Sequence, residues 1–72
     1  MAIRAFVDSV SDPNFTICGV MIETNGGTTF RDLSDRVIGA NAFFGQAMGR
    51  LVEADGAPSN GGILADEVEF ED

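Results

Sequence analysis

Apolar and polar residues alternate at both ends of this chain, and that pattern constrains the fold more than any other feature of the sequence. Near the start, Ile3, Ala5 and Val7 alternate with Arg4, Phe6 and Asp8; near the end, Leu64, Val68 and Phe70 alternate with Glu67, Glu69 and Glu71. A period of two places successive side chains on opposite faces of a strand. A sheet with one covered face is therefore expected. The chain has only 72 residues, which limits it to a single domain, 1–72, whose core is small relative to its surface. Its 44% apolar content and six phenylalanines still suffice for a folded core.

The segments between the ends divide at turn signals. Ser9 to Asn14 collects Ser, Asp, Pro and Asn, a turn composition. Phe15 to Ile22 is apolar on both parities and reads as one central strand covered on both faces, with Cys18 buried in it. Asn25-Gly26-Gly27 predicts a tight hairpin leading into a third, antiparallel strand from Thr28. From Val37 onward, Phe44, Met48 and Leu51 recur at helical steps, which predicts a helix whose surest part is Ala40 to Ala54, with Asn41, Gly45 and Gly49 forming a small-residue stripe on it. Residues 56–62 are Gly, Ala, Pro, Ser and Asn only and read as a flexible loop before a C-terminal acidic strand. The expected fold class is α+β: a mainly antiparallel sheet of three to four strands with one principal helix packed on one face.

Charge narrows the function. Twelve acids face four arginines, with no lysine and no histidine, for a formal net charge of −8. Such a field repels nucleic acid and favours encounter with a basic protein surface. The acids are unevenly placed, because Asp66, Glu67, Glu69, Glu71 and Asp72 put five of them in the last seven residues. In an extended strand Glu67, Glu69 and Glu71 project from one face at roughly 6.6 Å intervals. That row, with Asp32, Asp35, Glu53 and Asp55 at the ends of the expected helix, forms the candidate partner-binding set.

Catalysis is not expected. Without histidine the commonest general base and transition-metal ligand are missing, the single cysteine sits in an apolar stretch, and no cysteine cluster or phosphate-binding glycine loop is present. No cofactor or metal is implied. No apolar run is long enough to span a bilayer, and the first residues do not resemble a signal peptide, so an intracellular, cytoplasmic protein is expected.

Three segments resemble the first half of the ribonuclease H fold. Phe6-Val7-Asp8-Ser9 looks like that family's first strand with its catalytic aspartate, Cys18-Gly19-Val20-Met21-Ile22-Glu23 is similar to its second, and Asn41 through Leu51 is similar to its first helix. The resemblance implies an inactive or truncated derivative, because Phe44 stands where the metal-binding glutamate belongs and only Asp72 could supply a later ligand. The expected function is a small acidic non-catalytic binding module, in its sharpest form a viral or mobile-element inhibitor that imitates nucleic-acid charge, acting in the host cytoplasm, and blocks a nucleic-acid-binding complex. The alternatives are the inactive ribonuclease H-like domain and a salt-adapted structural or homo-oligomer-forming protein.

Overall fold

The computed structural model describes all 72 residues and is built almost wholly of strands. In chain order these are β1 (Ala2–Ser11), β2 (Asn14–Ile17), β3 (Val20–Glu23), β4 (Thr29–Arg31), β5 (Val37–Ile38), a short helix α1 (Ala40–Phe44), β6 (Leu51–Ser59) and β7 (Gly62–Phe70). β1, β2 and β3 form an antiparallel meander. The N-terminal half of β1 pairs on its other edge with β6, which turns back into β7. β7 then closes the ring by pairing in parallel with β3, Ile22 opposite Ile63 and Glu23 opposite Leu64. The result is a five-stranded barrel ordered β1-β2-β3-β7-β6, with β4 continuing along the same edge of β7 and β5 outside it. Three meander strands, a short helix, a returning hairpin and one parallel closure make up the connectivity of the oligonucleotide/oligosaccharide-binding barrel.

The expected α+β architecture is thus replaced by a nearly all-β barrel, and the principal helix is the main correction. Only Ala40–Phe44 is helical. Five residues cannot hold a helix by themselves, and the segment is held instead by Phe43, which is fully buried with its ring centroid 5.3 Å from Phe15, 4.8 Å from Phe30 and 5.0 Å from Phe70. The helix is a plug at one end of the barrel. Gly49, at φ +79°, ends any continuation, and from Leu51 the period changes to two, with Val52 and Ala54 buried and Glu53 and Asp55 outside. The helical spacing arose from residues that belong to three different elements. The stripe of Asn41, Gly45 and Gly49 is accordingly not a helix face.

Turn chemistry accounts for the other differences. Phe15 to Ile22 is two strands, because Cys18 and Gly19 adopt φ of +51° and +76° and reverse the chain between β2 and β3. Cys18 is therefore exposed on a hairpin tip, not buried. Asn25 to Thr28 does form a turn, closed by the Thr28 amide donating to the Asn25 carbonyl at 3.0 Å. It is not a hairpin, since β4 pairs with β7 and β5 instead of β3. The Asn-Gly hairpin lies at Asn60-Gly61, with φ of +51° and +81°, inside the stretch read as a loop; residues 56–59 belong to β6 and 62 opens β7. Both central residues at positive φ define the primed turn that suits twisted strands.

A bulge then shifts the parity of β7. Asp55 pairs with Glu67 and Gly56 with Ala65, so Asp66 is the extra residue. Before it Ile63 and Ala65 face the core; after it Val68 and Phe70 do. Leu64, expected beside Val68 and Phe70, lies on the other face and is only half-buried.

Closure requires a close approach. A Cβ at residue 62 would lie 2.0 Å from the Met21 carbonyl oxygen, so only glycine lets β3 meet β7 there. The Gly62→Ala variant should lose slow amide exchange at Ile63 and Leu64 before the rest of the sheet. The Phe43→Ala variant should cost about 3–5 kcal/mol in chemical denaturation, a large share of the roughly 5–15 kcal/mol that holds a native domain together.

Candidate functional site

Alternation places the acids of β6 and β7 on the outside of the barrel, and register brings them side by side. Arg4 on β1 is opposite Glu53 on β6, Glu53 is opposite Glu69 on β7, and Glu69 is opposite Arg31 on β4. One row therefore reads Arg-Glu-Glu-Arg across four strands. The adjacent row sets Asp55 directly opposite Glu67. Glu71, whose amide donates to the Leu51 carbonyl at 2.9 Å, continues the same face.

The two arginines bracket the acids. The Arg31 Nε donates to Glu67 Oε2 at 2.9 Å and lies 3.8 Å from Asp35 Oδ1, while Arg4 Nη2 is 3.8 Å from Glu71 Oε1. Between them, carboxylate oxygens of Glu53, Glu69 and Glu71 come within 4.8 Å of one another, with Arg4 paired to one of them, Glu71. Burial pushes the Glu69 carboxyl above its ordinary range, and the neighbouring charges of Glu71, Glu67, Asp35 and Glu53 push it the same way. An oxygen-only set of this kind suits a hard cation or a guanidinium or ammonium group from outside. Three ligands are far short of the six to eight that calcium takes.

The structure sorts the nine sequence-predicted residues. Glu53, Asp55, Glu67, Glu69 and Glu71 share one face, and Asp35 adjoins it through Arg31. Asp32 instead builds the β4–β5 turn: its Oδ1 accepts from the Ser34 and Arg36 amides at 2.9 and 3.0 Å, bonds that lower its pKa, chiefly through Arg36. Asp66 is the exposed bulge residue, and Asp72 lies beyond the last strand. Asp8, the aspartate singled out by the ribonuclease H resemblance, is a brace. It accepts from the Thr16 hydroxyl and from the Gly19 amide, holding the β2–β3 hairpin against β1, and its pKa is lowered by these bonds, chiefly that from Thr16. The other two segments of that resemblance form a hairpin tip running into β3 and a five-residue helix followed by a turn.

Two contributors escaped the sequence reading. Arg4 and Arg31 complete the charged rows, and their outward parity beside Ile3 and Phe30 was the available signal. Residues 4–69 match the family described as Domain of unknown function (DUF5666). The chain belongs to the DUF5666 family. The matched region runs from Arg4 on β1 to Glu69 on β7, so the DUF5666 unit is the barrel itself and includes all four members of the Arg-Glu-Glu-Arg row. No curated protein and no solved structure matches the chain. No helix is long and apolar enough to cross a membrane.

The acid face sets the pH dependence of stability. The folded Glu69 holds its proton more tightly than the unfolded chain does, so its contribution favours folding at low pH and is lost as pH rises through its raised value. Asp8 and Asp32 act oppositely, since their lowered values favour folding above the ordinary aspartate range and that contribution is lost as pH falls through the depressed values. Thermal melts should therefore peak in mildly acidic buffer, below the titration of Glu69 and above that of the aspartates. Glu69→Gln should flatten the neutral side of this profile and raise Tm at pH 7 by roughly 2–4 °C, the equivalent of about 0.5 kcal/mol of relieved like-charge pairing.

Proposed function

We propose that this barrel is a non-catalytic protein-binding module whose β6–β7 outer face receives a basic surface of a partner protein. One observation supports the reading above the rest: Glu53 faces Glu69 and Asp55 faces Glu67 in direct register. Like charges placed opposite one another weaken a sheet, and no ion pair or side-chain hydrogen bond within the chain engages Glu53 or Glu69, although Glu67 is held by Arg31. Arrangements that break a local rule without a structural gain mark functional surfaces. The bracketing arginines indicate the complementary group, because a guanidinium fork matches paired carboxylate oxygens.

The connectivity of the barrel is one that often serves nucleic-acid binding, but fold does not decide function. Here the charge argues the other way, since a net −8 repels polyphosphate. A nucleic-acid-binding partner fits both facts in the sharpest form of the proposal: Glu67, Glu69 and Glu71, spaced by roughly 6.6 Å along an extended strand, stand in for backbone phosphates in the partner's basic groove. The partner is to be retained on the immobilised protein from an extract of the native host and identified. Glu53→Gln/Glu69→Gln/Glu71→Gln should weaken its binding at least tenfold and make the remainder less sensitive to salt. Competition by double-stranded DNA supports the mimicry, and unchanged affinity of the triple variant ends the proposal.

A further inference from the structure

The end of the barrel opposite the Phe43 plug is open. Between the start of β1, the start of β3 and the β6–β7 hairpin lies a cavity of about 520 Å³ walled by Met1, Ala2, Ile3, Val20 and Ile63, with the backbone of Gly61 and Gly62 at one side. Its size falls within the range of sites that enclose a ligand, and barrel mouths are a recurring place for them. The walls offer contact with apolar groups. The rim is acidic: Asp55 is in register with Ala2 and largely exposed, and Glu23 is in register with Leu64 and held by Asn60, whose Nδ2 donates to Glu23 Oε1 at 3.3 Å.

No arginine neutralises that rim. Arg4 reaches toward Glu71, Arg31 toward Glu67 and Asp35, and Arg50 lies with its guanidinium 4.3 Å over the Phe70 ring near the plugged end, while Arg36 sits in the β4–β5 turn.

From this charge complementarity we propose that the mouth is a docking site for an extended peptide segment of a partner protein, one large aliphatic side chain entering the cavity and flanking Lys or Arg residues meeting Glu23 and Asp55. This site lies beside the β6–β7 face and shares Asp55 with it, but it does not depend on a partner binding there.

The test uses the whole chain, labelled with nitrogen-15, titrated with three blocked peptides: Lys-Lys-Leu-Lys-Lys, Lys-Lys-Gly-Lys-Lys and Glu-Glu-Leu-Glu-Glu. The first should shift the amides of Ile3, Val20 and Ile63, and each of the other two should bind the mouth at least tenfold more weakly. Ala2→Trp, an exposed position on the wall, should abolish these shifts while leaving the remaining spectrum folded. Glu23→Gln should narrow the preference for the lysine-flanked over the glutamate-flanked leucine peptide. Equal shifts from the leucine and glycine peptides overturn the proposal, as do shifts confined to Glu53, Glu69 and Glu71, which would leave the face reading standing alone. Concentration-dependent shifts of the same mouth residues without peptide would also overturn it, in favour of a second copy of the chain.

Discussion

The parallel contact between β3 and β7 is the constraint on which the rest of the structure depends. A meander of three short strands and a separate hairpin would each expose an edge and an apolar face, and neither would be stable alone. Joining them at Ile22–Ile63 turns two open ribbons into a ring with no free edge among its five strands. The inner faces then enclose Val7, Ile17, Ile22, Val52, Ala54 and Val68, none more than 2% exposed. One end of the ring must still be sealed, and Phe43 does so against Phe15, Phe30 and Phe70. The short helix exists because the barrel needs that ring delivered from outside.

The same closure determines the electrostatics. Once β7 is flanked by β6 on one side and by β3 and β4 on the other, Glu67 and Glu69 each acquire two cross-strand neighbours, and the acids on β6 make one of the two repulsive. Glu69 is the centre of this arrangement, with Glu53 on one side and Arg31 on the other. Arg31 is itself engaged by Glu67 and Asp35, so its charge is shared among three carboxylates. The face stays net negative, since Glu53, Asp55, Glu67, Glu69 and Glu71 meet only Arg4 and Arg31, while Arg50 lies over the Phe70 ring and Arg36 sits in the β4–β5 turn.

Legibility from sequence followed the range of the interactions involved. The outward row of Glu67, Glu69 and Glu71 and the inward set of Ile3, Ala5 and Val7 were readable because alternation is a local property of one strand. The partners of that row were not, because register across β1, β6, β7 and β4 joins residues up to 65 positions apart, Arg4 with Glu69 being the extreme. The helix was overread for the opposite reason: Phe44, Met48 and Leu51 fall at helical steps, yet tertiary pairing of Leu51 onto Phe6 outweighs a weak local preference broken by two glycines, Gly45 and Gly49. Two Asn-Gly pairs competed for the hairpin, and only the flanking strands decide which one is used. Asn60-Gly61 lies between residues that pair with each other, whereas Asn25-Gly26 lies between strands that both pair with β7.

This last point bears on how the barrel can present two chemically distinct surfaces. Because β3 and β4 both run beside β7, one on each side of the Asp66 bulge, the outer wall of β7 is divided. Its start, Gly62 and Ile63, borders the apolar mouth, and its second half carries Glu67 and Glu69, with Glu71 just beyond its end. The bulge reverses parity between them, so residues that continue the same alternation in sequence face different environments in space. Without the extra residue, Glu67 and Glu69 would turn toward the core and Val68 and Phe70 toward water. The placement of Asp66 therefore keeps the acid row on the surface and the phenylalanine that meets Phe43 inside it, from a single residue's shift in register.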